Sequence, residues 1–600
     1  MKKVKGIPYG VGAFDKVNAQ NKYYLDKTMY IPVIEKTNNI FLIRPRRFGK
    51  SMFLSMLHSY YDLNNIQKFD KLFHDTWILD NPTEEKSKYM ILRFNFSGLD
   101  CKVDKIEASF NNYCNEIIDD FLSNYKEYIN EDVRKKVIDK TYAHEKIETL
   151  NIGLSEDDKK IYIMIDEYDN FANTIISEQR ISDYHNLVHA SGMFKSFFAV
   201  LKKCAEENES NIERLFITGV SPVTMDDVTS GCNIGDFVST DLDLNEAFGF
   251  TLQDVHNILD YYIKAETFCS EDKDEAIEIM KKYYDSYRFS EDAEETLFNT
   301  CSVLYFMNKY FKNKRFPKNP IDKNLRTGYQ KLKSLIIINN KLNGNFDALN
   351  KIISDGGIAS AVSDSFPFDE INKPENFISL LYHLGFLTYS TKTVRGKPFL
   401  SVPNETIRTM IFEYIRNSIN DVDSFNVDIY ELKDLVSRMA YDGEIKEVFA
   451  FIADIMKQQT SMRDYITKEK IVQGYYMAYL GINDYYIIKS EMELNKGYAD
   501  ITFIPFYQKY HDMENAYICE FKYFPRIKDF DNLDSATQEE KVAALRKPLI
   551  EKAEAQLAKY ANDNDAQKLM HTGKYGNIKL IKHIAVFHGW ELVYNEIFNY

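Results

Sequence analysis

Four short apolar runs, separated by stretches with helical periodicity, constrain the fold of the first third of the chain. The runs are NIFLI (Asn39–Ile43), YMILRFNF (Tyr89–Phe96), IYIMI (Ile161–Ile165) and RLFIT (Arg214–Thr218). Continuous runs of β-branched and aromatic residues suit strands buried on both faces, and helices between such strands place them in a parallel sheet. We therefore predict a parallel α/β sheet between about residues 39 and 220.

Two further zones follow. From about residue 245 to 430 the periodicity is mostly helical, and Leu380–Asn404 predicts a helix that runs into a hairpin, as in winged-helix modules. After about residue 430 strands return in YYIIKSEMEL, YADITFIP, AYICEFKY and KHIAVFHG, with a helix around Pro548–Ala561 before the last. Because 600 residues are too many for one core, we predict an α/β multidomain protein with domains at residues 1–245, 246–430 and 431–600.

Composition excludes some classes of protein. A net charge of −15 and a pI near 5.4 argue against non-specific coating of nucleic acid, so any DNA contact needs a local basic patch or regulation. Seven cysteines without C-x-x-C spacing predict reduced thiols rather than zinc or disulfides. No stretch approaches the roughly 18 apolar residues of a membrane span. Together these features predict a cytoplasmic protein that does not enter the membrane.

The stretch RPRRFGKS, Arg44 to Ser51, has the end of a phosphate-binding loop but an arginine where its first glycine belongs. A predicted strand precedes it and a helical pattern follows, which is the context that such a loop requires. We expect the backbone at Gly49 to hold phosphate, Lys50 to reach the β- and γ-phosphates, and Ser51 to bind Mg²⁺. Arg46 and Arg47 add positive charge that can reach the phosphates.

Polar residues end two other predicted strands. Asp166 and Glu167 come directly after IYIMI, and Thr218 and Ser221 lie at the end of FITGVSP. Buried acids are costly unless they face a cleft at the carboxyl edge of the sheet, where ligands bind. We expect Asp166 to reach the Mg²⁺ shell and Glu167 to polarise the attacking water. Thr218 and Ser221 either sense the γ-phosphate or cap a turn.

Several motifs together resemble the bacterial AAA-ATPase-like family, whose members often carry a C-terminal domain of the PD-(D/E)xK nuclease superfamily. The resemblance spans essentially the whole chain and implies ATP as ligand, a P-loop NTPase sheet at the N-terminus and a restriction-endonuclease-like α/β domain at the C-terminus. Family members share RPRRFGKS, so Arg44 is a family variant. The motifs are YYLDKT (Tyr23–Thr28), RPRRFGKS, IDEYDN (Ile165–Asn170), FITGVSP, AFGFT (Ala247–Thr251), NTCSVLYF (Asn299–Phe306) and LGFLT (Leu384–Thr388).

The C-terminal zone has its own candidate chemistry. Asp500 stands at the start of one predicted strand, and Glu520 and Lys522 lie two apart on the next, so their side chains share a face. Two carboxylates from adjacent strands make an oxygen-rich site for Mg²⁺ or Mn²⁺. A nearby lysine can orient the attacking water or stabilise charge on a phosphodiester. The alternative interpretation of Glu520 and Lys522 is a surface ion pair on an edge strand.

This order of residues and elements resembles the D…E-x-K arrangement of PD-(D/E)xK nucleases. The resemblance implies Glu491 as another acidic metal ligand and Gln556, on the following helix, near the lysine. Tyr498 occupies the place of the arginine in a GRxD form, and a solvated helix is the alternative for Gln556. Basic residues flank the site and either meet a phosphate backbone or form a solvated face with neighbouring acids: Arg526, Lys528, Lys541, Arg546 and Lys547.

Two hypotheses from different classes follow. The preferred one is an ATP-binding and ATP-hydrolysing protein that gates a Mg²⁺- or Mn²⁺-dependent DNA endonuclease or exonuclease. The alternative is a nucleotide-dependent interaction switch whose C-terminal domain binds nucleic acid or protein without cutting. RNA as substrate and assembly into a homo-oligomer stay open, and the family resemblance alone suggests genome defence or mobile-element biology.

Overall fold

The chain forms two compact units, and each is built from two separate stretches of sequence. The first unit comprises Met1–Ser334 and Ala359–Asn404, and the second comprises Leu335–Ile358 and Glu405–Tyr600. The three-domain division at residues 245 and 430 stays a prediction. The computed structural model describes residues 4–99, 106–154, 159–170, 192–206, 210–223, 235–322, 337–338, 341–342, 344–371, 373–423, 428–458, 466, 468–481, 485–494, 497–507, 510–560, 566, 571–572 and 576–598.

Helices occupy much of both units. Those before residue 334 are α1 (Phe14–Ala19), α2 (Ile31–Ile34), α3 (Lys50–Tyr61), α4 (Phe69–Leu72), α5 (Trp77–Asp80), α6 (Ile106–Asn124), α7 (Glu131–Ile138), α8 (Ala143–Gly153), α9 (Met193–Glu206), α10 (Leu252–Lys264), α11 (Lys273–Tyr284) and α12 (Thr300–Asn313). The later ones are α13 (Gly344–Asp355), α14 (Pro374–His383), α15 (Glu405–Asp423), α16 (Ile429–Asp442), α17 (Ile445–Gln458), α18 (Glu469–Leu480) and α19 (Ser535–Tyr560).

The first unit contains a five-stranded parallel sheet of order β2-β3-β4-β1-β5, which confirms the predicted α/β fold. Every residue of β3 is buried, as expected for a strand covered by helices on both faces. The carboxyl ends of neighbouring parallel strands meet at one edge, so the turn after β1 lies near the ends of β3 and β4. The strands are β1 (Asn39–Ile43), β2 (Met90–Asn95), β3 (Ile161–Asp166), β4 (Ile212–Gly219) and β5 (Asp236–Phe237).

The helix and hairpin predicted between Leu380 and Asn404 are both present. Helix α14 leads into a hairpin that belongs to a three-stranded sheet of order β8-β10-β9. Two further sheets have two strands each, β6 with β7 and β14 with β15. The strands concerned are β6 (Ile337–Ile338), β7 (Lys341–Leu342), β8 (Gly357–Ala359), β9 (Thr388–Val394), β10 (Lys397–Ser401), β14 (His571–Thr572) and β15 (Gly576–Asn577).

The second unit contains a mixed sheet of order β11-β12-β13-β16-β17. Strands β13 and β16 are parallel and the other pairs are antiparallel. Apolar residues of α19, among them Val542, Ala553 and Leu557, pack with residues of this sheet in one buried cluster. The strands are β11 (Tyr486–Leu494), β12 (Gly497–Pro505), β13 (Asn515–Phe524), β16 (Lys579–His588) and β17 (Glu591–Phe598).

Two features of this unit differ from the sequence-based expectation. Strand β17 was not predicted, because it lies at the sheet edge and its residues are only half-buried or exposed. Helix α19 begins at Ser535, well before the predicted start near Pro548. Proline suits the first turn of a helix, but the preceding stretch is rich in strong helix formers. Asp534 also accepts hydrogen bonds from the backbone of Ala536 and Thr537, which fixes the earlier start.

Two predictions concern membranes and thiols. None of the described helices is long and apolar enough to cross a membrane. In the described part of the chain, no disulfide joins the cysteines Cys114, Cys204, Cys269, Cys301 and Cys519. Cys101 and Cys232 lie outside the described residues.

Candidate functional site

The turn between β1 and α3 holds the predicted phosphate-binding residues. Gly49 caps α3 with a φ of 93°, a left-handed conformation that favours glycine. Lys50 begins the helix, and its Nζ donates to the carbonyl oxygens of Arg44 at 2.8 Å and Pro45 at 3.0 Å. Burial lowers the pKa of Lys50 to about 8, although Asp166 and other nearby carboxylates oppose this shift. Ser51 follows in the first turn of α3. Gly49, Lys50 and Ser51 therefore occupy the start of a helix, as the predicted phosphate-binding loop requires.

Arg44 is an anchor inside the protein rather than part of the phosphate-binding surface. Its side chain is 1% exposed, and its guanidinium donates to the carbonyls of Ile43, Leu244 and Ser239. The guanidinium carbon also lies 4.5 Å from the ring centroid of Phe289. Burial lowers the pKa of Arg44 to about 10. The residue that replaces the first loop glycine therefore fastens the loop to the surrounding chain.

Residues well beyond the parallel sheet hold the backbone of the same loop. The carbonyl of Arg46 accepts from Asn299 Nδ2 at 3.4 Å, and that of Arg47 accepts from the amide of Cys301 at 3.2 Å. The carbonyl of Phe48 accepts from the amide of Gly249 at 3.2 Å. These donors belong to the AFGFT and NTCSVLYF motifs. Their role is thus to fix the shape of the loop.

The two predicted loop arginines differ in their surroundings. Arg47 Nη1 lies 3.7 Å from Asp322 Oδ2, so the carboxylate of Asp322 partly neutralises the charge of Arg47. The positive charge of Arg46 acts on Lys50, whose pKa it lowers, and on Glu167. Arg46 is therefore the loop arginine whose charge acts on both the predicted phosphate-binding Lys50 and the predicted catalytic Glu167.

Asp166 ends β3 with a fully buried side chain. Both of its carboxylate oxygens are buried and accept no hydrogen bond from any described residue. A buried carboxylate without a partner is costly, whereas a divalent cation would satisfy it. Its position at the end of β3, beside the Lys50 ammonium, fits the predicted Mg²⁺ role.

Glu167 follows directly, with a φ of 53° that is rare for a residue with a side chain. Burial raises its pKa, and Asp169 adds to that rise while Lys50 and Arg46 oppose it. Asp169 is fully engaged with the end of β4, where it accepts from the amides of Val220 at 3.2 Å and Ser221 at 2.8 Å. This bridge from β3 to the residues after β4 was not predicted from the sequence, where the repeated acids in DEYD were the available signal.

Thr218 and Ser221 have different surroundings. Thr218 is buried, and its Oγ1 has no hydrogen-bond partner in the described part of the chain. Ser221 Oγ accepts from the amide of Val223 at 3.3 Å, which is a local turn interaction. Of the two predicted γ-phosphate sensors, Thr218 therefore keeps an unused hydroxyl.

The second site lies on β12 and β13. The antiparallel register Ile501↔Cys519 brings Asp500 beside Glu520. Lys522 Nζ lies 2.7 Å from Glu520 Oε2 and 3.3 Å from Asp500 Oδ2, so the ammonium joins the two carboxylates. Asp500 Oδ2 also accepts from the amide of Phe521 at 2.8 Å. The structure thus brings together the three residues of the predicted D…E-x-K set.

Burial dominates the electrostatics of this set. Glu520 is 0% exposed, and its Oε1 has no hydrogen-bond partner among the described residues. Burial, followed by the charge of Asp500, raises the pKa of Glu520 to about 8, although Lys522 opposes the shift. Burial alone would lower the pKa of Lys522, but Asp500 and Glu520 outweigh it and raise that pKa. The lysine therefore stays charged beside a carboxyl group that holds its proton unusually tightly.

Glu469 was not predicted from the sequence, but it lies close enough to the second site to feel its charges. It begins α18, and burial followed by the charge of Asp500 raises its pKa to about 7. Lys522 and Lys552 oppose that rise, so Glu469 lies within electrostatic reach of Asp500, of Lys522 and of α19. The available signal was an acid at the first position of the helix that precedes the three strands.

One face of α19 borders the same group. Lys552, Gln556 and Tyr560 are spaced by four residues, which places them on one side of the helix. Tyr560 is buried and donates to the carbonyl of Tyr498 at 2.9 Å. Burial and the charges of Glu520 and Asp500 raise the pKa of Tyr560. Gln556 Oε1 is buried without a hydrogen-bond partner in the described residues, so its carbonyl end is available to a ligand.

Glu491 has different surroundings from the other predicted ligands. Its side chain is 42% exposed and pairs with Lys470 Nζ at 2.8 Å, while Lys470 also pairs with Asp355 at 2.5 Å. Glu491 has a φ of 49°, so the backbone of β11 turns locally at this residue. Its role as a metal ligand stays a prediction.

The flanking basic residues are partly used within the protein. Arg526 pairs with Asp531 and with Glu591, the latter at 3.1 Å. Arg546 donates to the carbonyl of Val593 at 2.9 Å and pairs with Glu539 at 3.2 Å. These two arginines are therefore less suited to a phosphate backbone than an unpaired lysine.

The donor set of the second site fits a hard divalent cation. In the described part of the chain no three His, Cys, Asp or Glu side chains are grouped closely enough to hold a metal ion by themselves. Mg²⁺, however, usually binds through one or two carboxylates and keeps several waters. Asp500 and the unpartnered Oε1 of Glu520 meet that requirement.

Comparisons with known proteins match two separate segments of the chain. Residues 8–229 match the model of a predicted AAA-ATPase family, and residues 467–597 match the PD-(D/E)XK nuclease superfamily. An uncharacterized protein in the vnfD 5′ region of Azotobacter chroococcum mcd 1 is 23% identical over 316 residues, 51% of this chain and 53% of that protein. The chain thus spans about half the length of this curated relative. No solved structure matches. The chain therefore combines an AAA-ATPase-like domain at residues 8–229 with a domain of the PD-(D/E)XK nuclease superfamily at residues 467–597.

Proposed function

We propose that this protein is an ATP-controlled, metal-dependent nuclease that cuts DNA. The observation that carries the proposal is the group formed by Asp500, Glu520 and Lys522, with Lys522 Nζ at 3.3 and 2.7 Å from the two carboxylates. A fully buried Glu520 beside a partly exposed Asp500 and a charged lysine is costly to maintain unless the group binds something. The chemistry of these residues matches phosphodiester hydrolysis. In that reaction water attacks the phosphorus atom, and a sugar oxygen of the nucleic-acid strand leaves.

In this proposal each residue has a defined role at the second site. Asp500 and Glu520 would hold Mg²⁺ or Mn²⁺, and Glu520 would release to solvent the proton that it holds in the metal-free protein. When bound, the ion lowers the pKa of water and neutralises phosphate charge. Lys522 stays protonated and stabilises the negative charge that develops on the phosphate. Gln556 orients the substrate or the water through its free carbonyl end, and Glu469 adds negative charge at the border of the site.

The first site supplies control. Gly49, Lys50 and Arg46 bind the phosphates of ATP, while Ser51 and Asp166 hold the accompanying Mg²⁺. Glu167 polarises the water that attacks the γ-phosphate, and Thr218 senses that phosphate. Binding or hydrolysis of ATP then changes the rate at which the second site cuts.

Cutting assays test the proposal directly. Linear and circular DNA and a single-stranded RNA are incubated with Mg²⁺ or Mn²⁺ and either wild type, Asp500→Ala or Glu551→Ala. Glu551 is an exposed acid of α19 and serves as the charge-matched control. We expect metal-dependent cutting of DNA by wild type and Glu551→Ala and none by Asp500→Ala. Cutting of RNA but not of DNA would show that the substrate is RNA. Equal amounts of product from wild type and Asp500→Ala would refute a role of the second site in cutting.

A further inference from the structure

The second site is tied to a helix whose chain continues directly into the first unit. Helix α13 ends at Asp355, and the chain passes from the second unit to the first between Ile358 and Ala359. Ser360 then donates from its amide to the carbonyl of Pro398, within the hairpin region of the first unit. Only five positions thus separate Asp355 from a residue fixed in the other unit.

Asp355 holds the start of the helix that borders the nuclease site. Its carboxylate lies 2.5 Å from Lys470 Nζ, and the same ammonium lies 2.8 Å from Glu491 on β11. Lys470 directly follows Glu469, which lies within electrostatic reach of Asp500. One lysine therefore connects α13, β11 and the acidic first residue of α18.

The remainder of α13 is packed firmly within the second unit. It contacts α18, α15 and β11, and Ser490 Oγ donates to the carbonyl of Ile353 at 3.2 Å. A Cβ at Gly474 of α18 would lie 3.3 Å from Asn350 Oδ1, so the two helices approach closely. A displacement of α13 along its axis must therefore move α18 or break the pairing of Asp355 with Lys470.

Within the first unit, the phosphate loop contacts the same hairpin region. Gly385, just before β9, approaches Pro45 so closely that a Cβ would lie 2.8 Å from the proline Cβ. Strand β9 pairs with β10, which contains Pro398. Contacts thus run from the loop that binds nucleotide to the residue that anchors the chain beyond Asp355.

We propose that Asp355 and Lys470 are positioning residues that link the nucleotide state of the first unit to the geometry of the nuclease site. Through the short chain from Ser360 to Asp355, a change in the loop alters the hold of Asp355 on Lys470. Lys470 then shifts Glu469 and Glu491 relative to Asp500. This inference rests on the proposed function, because it specifies how that site is regulated.

The test compares cutting rates with and without ATP in the full chain. Asp355→Asn removes the charge at nearly constant volume, and Asp347→Asn makes the same change at an exposed position of the same helix. In wild type and Asp347→Asn, we expect ATP to change kcat by at least about fivefold, the usual lower range of coupling between sites. In Asp355→Asn, ATP should change kcat by less than about twofold, and KM for DNA should stay unchanged. The double variant Asp355→Asn with Lys470→Gln should show the same ratio of kcat with and without ATP as Asp355→Asn alone.

A second variant guards against a folding defect. Insertion of two glycines after Gly356 lengthens the chain between Asp355 and Ser360 without changing any charge, and it should also bring the ATP ratio towards one. An unchanged ATP ratio in both variants would overturn the inference while leaving the nuclease intact. A wild type that cuts equally with and without ATP would overturn both the inference and the control that it explains. A wild type that does not cut would refute the proposed function itself.

Discussion

Arg44 occupies the first glycine position of the predicted phosphate-binding loop, but its side chain points into the protein. Its buried guanidinium donates to the carbonyls of Ser239 and Leu244 and lies over Phe289. We predict that Arg44→Gly, although it restores the usual motif, destabilises the protein by about 2–4 kcal/mol, because it leaves buried carbonyls unpaired and a cavity behind. Urea unfolding would measure the loss, with the exposed Arg315→Gly as control. Equal stability of the two variants would contradict the anchoring role.

Lys50 should make ATP binding depend on pH. Burial lowers its pKa to about 8, so in the free protein the ammonium loses its proton as the pH rises through this value. Phosphates bind the charged form, and binding above pH 8 therefore requires proton uptake. We expect the affinity for ATP, measured by calorimetry, to fall progressively above pH 8. Lys50→Arg keeps its charge and should show a flat profile, so the same fall in that variant would exclude Lys50 as the cause.

Glu520 should make the stability of the metal-free protein depend on pH. Burial raises its pKa from 4.5 to about 8, so the folded state binds this proton more tightly than the unfolded state. The resulting stabilisation is complete below about pH 4.5 and is lost as the pH rises towards 8. We expect Glu520→Gln to lose less stability than wild type between pH 5 and 8 in urea unfolding. Parallel curves for the two proteins would contradict the buried, proton-binding state of Glu520.

Among the secondary-structure elements, those that depend on the local pattern of apolar residues were predictable from the sequence. The buried strands β1 to β4 are continuous apolar runs, and the spacing of Glu520 and Lys522 placed them on one face. Interactions between distant residues were not predictable in this way. Neither the inward turn of Arg44 nor the pairing of Glu491 with Lys470 leaves a periodic pattern, because each depends on a partner far away in the chain.

Helix α19 offers a test of how the second site meets its substrate. Lys552 lies one turn from Gln556 on the face that borders the site, and it is exposed. It has no ion pair with the described residues, unlike Arg526 and Arg546. We predict that Lys552→Ala weakens DNA binding and lowers the slope of log affinity against log salt by about one.

The control for this prediction is on the same helix. Lys547 is exposed but lies about 140° around the helix from Lys552, at 100° per residue, so Lys547→Ala should leave the salt slope unchanged. Fluorescence anisotropy with labelled DNA in the Asp500→Ala background would measure binding without cutting. Identical slopes for both variants would show that Lys552 does not touch the phosphates.

At the scale of the whole molecule, the separate motifs serve one loop. Gly249 and Asn299 donate to its carbonyls, and Gly385 packs against Pro45. Residues of the motifs that follow the parallel sheet are thus placed to fix the shape of the predicted nucleotide-binding loop. These contacts place three later segments of the first unit against the loop that is predicted to bind ATP.

Control of DNA cutting by the first site is tested most directly by the initial rate of cutting with and without ATP, in wild type and in Lys50→Ala. We expect ATP to change the rate in wild type, while Lys50→Ala cuts at the ATP-free rate under both conditions. This result would show that the first site controls the second. An ATP effect of equal size in Lys50→Ala would show that Lys50 does not mediate control by ATP, and no metal-dependent cutting by wild type would refute the nuclease activity itself.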